Sequence, residues 1–109
     1  MGDSQAERLW LALDILRSRG WTKRSLVASD GKVCMMGALH LAHGQLVGRF
    51  SATDLTTSDA RLLRETVKEL FPHLDDVRSV AQFNDDRATK QEMVEQTFHK
   101  AALKAEERI

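Results

Sequence analysis

The amino-acid sequence predicts a mainly α-helical fold with a minor β component, in which four helices pack around one core. Four segments carry apolar residues at intervals of three and four, the period of a helix with one buried face. Between the first two of these segments, an Asp30-Gly31 turn signal predicts a short β-hairpin. The chain has 109 residues, 42% of them hydrophobic, which suffices for one core, so we expect residues 1–109 to form a single domain.

The first helix is predicted over residues 5–19. Ser4 and Glu7 have the spacing of a capping box, and Gly20 is placed to end the helix in a left-handed conformation. Its apolar stripe is formed by Ala6, Leu9, Trp10, Leu13 and Leu16. The hairpin should then pair Ser25–Ala28 with Lys32–Met35 and lie against the helices, since an isolated two-stranded ribbon is marginally stable.

The second helix is predicted from Cys34 or Met35 to Gly44. Its wheel places Cys34, Met35, Ala38, Leu41 and Ala42 on the buried face and His40 and His43 on the opposite, polar side. Gly37 should allow another segment to approach this helix closely. Residues 45–56 are expected to form a loop, with an extended piece at Leu46–Phe50.

The third helix is predicted over residues 58–71, with Thr57-Ser58-Asp59 as its cap and Pro72 as its end. For Ser79–Asp86 both a short helical turn and an extended segment fit the pattern. A second capping box at Thr89-Lys90-Gln91-Glu92 begins the last helix, predicted over residues 90–107. The six aromatic residues of the chain are expected in the core.

Composition excludes several classes of protein. Sixteen basic and sixteen acidic residues cancel, so no overall field attracts nucleic acid or a membrane, and nucleic acid is an unlikely partner by this criterion. The N-terminus lacks the features of a secretory signal, and no window is apolar enough to span a membrane. The single cysteine forms no internal disulfide, which fits a reducing compartment. We therefore expect a cytoplasmic protein.

Three short motifs are shared with other proteins. They are Gly20-Trp21, the Gly-x-x-Cys-x-x-Gly-Ala pattern from Gly31 to Ala38, and the aromatic-Asn-Asp pattern Phe83-Asn84-Asp85. With these motifs the chain resembles a family of small uncharacterised proteins of actinobacteria and their phages, over about residues 6–102. The resemblance implies an origin in an actinobacterium or its phage and assigns no activity.

The candidate for catalysis is Cys34, as a nucleophile with a histidine base and with Asn84 or Asp85 orienting that base. His40 lies about 120° from Cys34 around one helix, so His73 or His99 would have to supply the base. The favoured interpretation is that Cys34 packs at the junction between strand and helix. Asn84 and Asp85, with Asp86, are expected to satisfy backbone N–H groups in the turn before the last helix.

Two further candidates are weaker. His40 and His43 are three positions apart, but no zinc-binding motif accompanies them, so no metal and no cofactor is predicted. The basic group Arg17, Arg19, Lys23 and Arg24 surrounds Trp21, whose ring could stack on a base, but a solvated patch is favoured.

The function predicted from the sequence is a small, non-catalytic protein-interaction or regulatory module. Its partner is expected to be a host protein or a second copy of the chain, with Trp21, Asn84 and Asp85 as the candidate binding residues. The first alternative is a cysteine-dependent enzyme that uses Cys34 near Asn84 and Asp85. The second is nucleic-acid binding through the Arg17–Arg24 patch.

Overall fold

The computed structural model describes residues 4–47, 54–74 and 76–107. Within them the chain forms five helices and no β-strand: α1 (Gln5–Arg19), α2 (Met35–Val47), α3 (Asp54–Leu70), α4 (Val80–Asp85) and α5 (Gln91–Glu107). The prediction of a mainly helical fold is confirmed. None of the described helices combines the length and apolarity needed to cross a membrane.

Helix α1 is the centre of the packing, with extensive contacts to α2 on one side and to α5 on the other. Helix α3 contacts α5, α2, α4 and α1. The core therefore contains side chains from all five helices and from the connecting segments. Its largest members are Leu9, Leu13, Leu16, Val33, Met35, Leu39, Leu62, Leu63, Val67, Phe83 and Phe98.

The ends of α1 are those that the sequence predicts. The Ser4 hydroxyl accepts a hydrogen bond from the Glu7 N–H at 3.1 Å, which satisfies one unpaired donor at the start of the helix. Gly20 ends the helix with a φ of 93°, and its N–H donates to the Leu16 carbonyl. A positive φ is strained for residues with a Cβ, so glycine is the residue that fits this position.

The predicted β-hairpin is absent from the described residues, although its turn forms. The Ala28 N–H donates to the Lys32 carbonyl across the turn, at 2.8 Å. Val33 makes isolated bridges, parallel to Trp21 and antiparallel to Val27. No ladder extends from these bridges because Arg24 turns the chain with a φ of 69° and because α2 begins at Met35.

Helix α3 begins earlier than predicted, the helical alternative holds for Ser79–Asp86, and α5 begins within one residue of its predicted start but without the predicted cap. Helix α3 starts at Asp54, so the supposed cap at Thr57-Ser58-Asp59 lies inside the helix, and Asp59 is buried. Residues Ser79–Asp86 contain helix α4. The Ser79 hydroxyl caps the start of this helix by accepting a hydrogen bond from the Gln82 N–H. The predicted cap of α5 is wrong, since the buried Thr89 Oγ1 has no hydrogen-bond partner in the described structure.

The loop predicted over residues 45–56 lies partly outside the described residues. Leu46 belongs to α2, and residues 54–56 belong to α3, so the loop is shorter than predicted at both ends. Residues 48–53, which include Phe50 of the predicted extended piece, are not described. Of the other aromatic residues, Phe83 and Phe98 are fully buried, and Trp10, Trp21 and Phe71 pack against the core while partly exposed.

Candidate functional site

The three short motifs noted in the sequence meet at one place in the fold. The segment that follows α1 lies against the end of α4, and each of its residues from 21 to 24 is held there by a hydrogen bond. Trp21 and Thr22 bond to the Asn84 side chain, the Lys23 ammonium donates to the Asp86 carbonyl at 2.7 Å, and the Arg24 N–H donates to Asp85 at 2.9 Å. The end of α4 thus holds a segment that has no regular secondary structure.

Asn84 is the centre of this arrangement and is 1% exposed. Its Oδ1 accepts from the Trp21 Nε1 at 2.7 Å and from the Met35 N–H at 3.0 Å. Its Nδ2 donates to the Thr22 carbonyl at 3.1 Å and to the Asp85 Oδ1 at 3.0 Å. An amide side chain has two donors and an acceptor oxygen with two lone pairs. Every hydrogen-bonding position of Asn84 is therefore used within the protein.

This result corrects the role predicted for the Asn84-Asp85-Asp86 cluster. Of the three side chains, only that of Asp86 bonds to a backbone N–H of this turn, accepting from the Ala88 N–H at 2.8 Å. Asn84 and Asp85 instead contact residues about 60 positions earlier in the chain. The cluster connects distant segments as well as forming its own turn.

Cys34 lies at the start of α2 and acts as its cap. The Ala38 N–H donates to its carbonyl, and the Gly37 N–H donates to its thiol at 3.3 Å. Cys34 is 9% exposed, and its own N–H donates to the Leu26 carbonyl. These contacts agree with the packing role that the sequence favours for this residue.

Cys34, Asn84 and Asp85 line one pocket of ≈ 200 Å³, so the structure brings together the three residues of the predicted catalytic group. The complete lining consists of Arg24, Ser25, Leu26, Cys34, Met36, Ala81, Asn84 and Asp85. A nucleophilic thiol needs a base within hydrogen-bond reach. The described lining contains no histidine, and Asp85 is its only carboxylate.

The four histidines lie elsewhere. His73 and His99 are exposed, and their rings pack edge-on against Phe71 and Trp10 respectively. The expectation that His43 is solvated is wrong, because it is 2% exposed. Position 43 lies eight residues after Met35, about 80° around the helix, which places it on the same stripe as the buried Leu39.

The histidine pair on α2 is partly desolvated. Neither ring nitrogen of His43 has a hydrogen-bond partner within the described part of the chain. Burial, and to a smaller extent the charge of His43, lowers the pKa of His40 below its ordinary value. Among the described residues, no three His, Cys, Asp or Glu side chains converge in a way that could hold a metal ion.

The basic group around Trp21 is largely engaged in contacts within the protein. The Arg17 guanidinium pairs with Glu95 at 2.8 Å. The Lys23 ammonium lies 5.3 Å from the centre of the Trp21 ring, a cation–π distance, and Trp21 also donates to Asn84. The indole therefore has one face covered by Lys23 and its N–H occupied.

Two consecutive apolar residues, Leu26 and Val27, are exposed at or next to the pocket, and neither was predicted as a site residue. Leu26 is 52% exposed and lines the pocket, and the next residue, Val27, is 43% exposed. Their backbone lies directly on α2, since a Cβ added to Gly37 would come within 1.9 Å of the Leu26 carbonyl oxygen. The pattern that could have revealed them is an apolar pair in a segment that fits neither the helical nor the strand period.

Comparison with known proteins identifies the family but no characterised relative. No curated protein and no solved structure matches the chain. One family model, described as a family of unknown function, matches residues 1–104, which include every residue of the pocket. The chain therefore belongs to this family, DUF6197.

Proposed function

We propose that the protein is a non-catalytic binding module, and that its binding surface consists of Leu26, Val27 and the adjoining pocket, here called the Leu26 surface. The observation that carries this proposal is the exposure of Leu26 and Val27. They are two of the three large apolar residues that are exposed in the described structure. Contiguous exposed apolar residues with a polar rim are typical of protein interaction sites.

The size of the pocket favours one side chain of a partner protein. Pockets for drug-sized molecules usually measure about 300–1,000 Å³. This pocket measures ≈ 200 Å³ and has apolar walls from Leu26, Met36 and Ala81. Arg24 and Asp85 supply one positive and one negative group at the same pocket, which could fix the orientation of a bound segment.

The hydrogen bonding of the site supports binding over catalysis. Asn84 uses its amide to hold Trp21, Thr22, Met35 and Asp85 in place, so it is a positioning residue with no free donor. Its role in the proposal is to hold the segment that presents Leu26. The candidate binding residues Trp21 and Asn84 would thus act beneath the surface, while Asp85, Leu26 and Val27 contact the partner.

The partner is proposed to be a host protein or a second copy of this chain. The proposal places the protein in the cytoplasm of an actinobacterium or of a cell infected by its phage. These assignments rest on the resemblance of the motifs and on the single cysteine.

A pair of matched substitutions tests the proposed surface. Leu26→Asp changes the Leu26 surface, and Leu103→Asp makes the same change at the third exposed apolar residue, which is 44% exposed and lies on α5. We expect Leu26→Asp to abolish capture of the partner from lysate, or self-association in sedimentation experiments. Leu103→Asp should retain wild-type binding.

Thermal unfolding of both variants provides the control, since charges at exposed positions should change stability little. Equal binding by the two folded variants, whether retained or lost, would contradict the proposal. A partner captured by the wild type and by Leu103→Asp is then cross-linked through a photoreactive residue at position 26 to establish direct contact.

The second candidate function is a cysteine-dependent enzyme, which is favoured by the shared pocket of Cys34, Asn84 and Asp85. Its test is the rate at which an alkylating reagent modifies Cys34 in the folded protein. A rate near that of an unhindered thiol, and abolished by Asp85→Asn, would support it. Modification only after unfolding would remove this candidate and leave the binding module.

A further inference from the structure

A second surface of the molecule is strongly cationic. On α3, Arg61, Arg64 and Lys68 lie at intervals of three and four, and Arg78 follows the end of the helix. Two neighbouring pockets, of ≈ 220 and ≈ 290 Å³, share Arg61 and Arg64 in their linings. Arg78 lines the first pocket and Lys68 the second. We call the surface formed by these four cations the α3 groove.

The packing of α3 explains why the cations point outward together. Leu62, Leu63, Thr66 and Val67 form the buried face of the helix. Arg61, Arg64 and Lys68 lie on the opposite face, and all three are exposed. Arg78 is fixed by its backbone. Its N–H donates to the Gln82 Oε1 at 2.7 Å, and the neighbouring Val77 is buried.

The four cations form no ion pair within the described structure, whereas half of the other described basic residues do. Arg8, Arg17, Lys32, Lys100 and Lys104 each form an ion pair. No described carboxylate forms an ion pair with any cation of the α3 groove. Like charges three and four positions apart on a helix destabilise it. A bound anion would relieve this repulsion.

The acidic residues close to the groove are few. Glu65 lines the same pocket as Lys68, and Asp76 lies two positions before Arg78. Glu69, the next acidic residue on α3, is paired with Lys100 and Lys104 of α5. The neutral charge of the whole chain therefore conceals a local excess of positive charge on this surface.

We propose that the α3 groove binds the phosphate backbone of double-helical nucleic acid without reading its sequence. From Arg61 to Lys68 the helix rises about 10 Å, which corresponds to about three phosphates along one strand. Three of the four cations are arginines, whose planar guanidinium groups bind phosphate oxygens in pairs. Phosphate contacts of this kind position a protein on nucleic acid but carry no sequence information.

The composition of the groove favours a duplex over other polyanions. None of the described residues that line the two pockets is aromatic, so they offer unpaired bases no ring on which to stack. Among the same described residues only Ala60 and Val80 are apolar, whereas protein partners usually bind through large apolar or aromatic anchors. This surface differs from the Arg17–Arg24 patch, where Arg17 is already paired.

The test measures fluorescence anisotropy of a labelled DNA duplex of mixed sequence, titrated with the full chain. We expect a dissociation constant of about 10⁻⁴ to 10⁻⁵ M at low salt, in the range of non-specific binding. Four phosphate contacts predict a slope of about −3 to −4 in a plot of log affinity against log salt. Arg61→Gln with Arg64→Gln should weaken binding at least about tenfold and reduce the slope by about two.

Two matched variants make the result specific to the groove. Arg17→Gln with Arg24→Gln removes the same charge from the other basic group and should change the affinity less than about twofold. Glu65→Gln removes a negative charge from the groove and should tighten binding severalfold. Circular dichroism and thermal unfolding establish that each variant is folded.

The proposal is wrong if the wild type produces no anisotropy change at low salt, or if the two double variants lose affinity equally. Polyglutamate is the competing polyanion. If it displaces the duplex at equal charge concentration, the groove recognises acidic protein and the assignment to nucleic acid fails. A failure of Leu26→Asp to impair partner binding has no bearing on this result, because Leu26 lies outside the groove.

Discussion

Two buried polar clusters stabilise the fold in different ways. Between α1 and α3, the Arg8 guanidinium donates to both carboxylate oxygens of Asp59, at 2.7 and 3.0 Å, and the two side chains are 4% and 2% exposed. Beside α4, the uncharged Asn84 bonds to an indole, two backbone groups and a carboxylate. The first cluster joins two helices, whereas the second holds a segment without regular structure.

The difference predicts which cluster could be replaced by apolar residues. Helices satisfy their own backbone groups, so a buried ion pair between two helices can be exchanged for a well-packed apolar pair. The segment after α1 forms only isolated backbone pairs, such as the hydrogen bond from the Thr22 N–H to the Val33 carbonyl, and the Thr22 carbonyl and the Met35 N–H depend on Asn84. We infer that the ion pair contributes specificity to the packing of α1 on α3, while Asn84 is required for the conformation of its segment.

The largest effect is expected for Asp59→Ala, which leaves the Arg8 charge buried without its carboxylate. Breaking a buried pair in this way costs about 3–5 kcal/mol of the free energy of unfolding, measured by urea denaturation. The double variant Arg8→Met with Asp59→Leu should recover most of this loss. A double variant as unstable as Asp59→Ala would show that the ion pair is not replaceable and would remove the distinction between the clusters.

A somewhat smaller loss, about 2–4 kcal/mol, is expected for Asn84→Leu, because the Trp21 and Met35 N–H groups each lose an acceptor. Adding Trp21→Phe removes one of these donors and should recover about 1 kcal/mol. The Met35 N–H belongs to the backbone and stays unpaired. Full recovery in the double variant would mean that Asn84, like the ion pair, can be replaced.

The next effect concerns the close approach of the Leu26 backbone to α2. Gly37→Ala should cost about 2–3 kcal/mol, because the new Cβ would overlap the Leu26 carbonyl and displace the segment. Gly31→Ala is the matched control. The Cβ added at position 31 would meet no atom within 4 Å. The only cost of this substitution is the strain of an alanine at a φ of 92°, about 1 kcal/mol. Equal losses in urea denaturation would show that the segment yields to the added methyl group.

The sequence predicts the helices well because their signals are local. The bounds of α1 are those predicted from Ser4 and Gly20, and α3 ends just before Pro72 as expected. The clusters are different, because their contacts join residues far apart in the chain. Trp21 and Asn84 are 63 positions apart, and the spacing of α1 placed Arg8 outside the apolar stripe, although it is 3% exposed.

The hairpin and His43 illustrate two other limits of prediction from the sequence. The turn at Asp30-Gly31 was predicted correctly, but a turn signal does not fix the length of the strands beside it, and α2 begins too early for a ladder. His43 was placed on the polar face because it lies about 180° from Cys34 on the helical wheel, whereas the buried face is wider than predicted and extends through Leu39 to His43. The α3 groove was missed because charges were summed over the whole chain, where they cancel.

The smallest expected effect is the pH dependence of stability that comes from the histidine pair on α2, which distinguishes this pair from both polar clusters. Burial, with the charge of His43, holds the pKa of His40 in the folded protein below its ordinary value of 6.5. As pH falls through 6.5, the unfolded chain binds a proton at position 40 that the folded protein resists, so the free energy of unfolding decreases. Above that pH, both states leave His40 uncharged and it has no effect on stability.

Urea denaturation between about pH 7.5 and 5.5 should show this decrease in the wild type and a weaker one in His40→Gln. An unchanged decrease in His40→Gln would assign the pH dependence to another group. Glu69, whose pKa is lowered first by its hydrogen bond from Lys104, loses its stabilising contribution only as pH falls through and below its ordinary 4.5, outside this range.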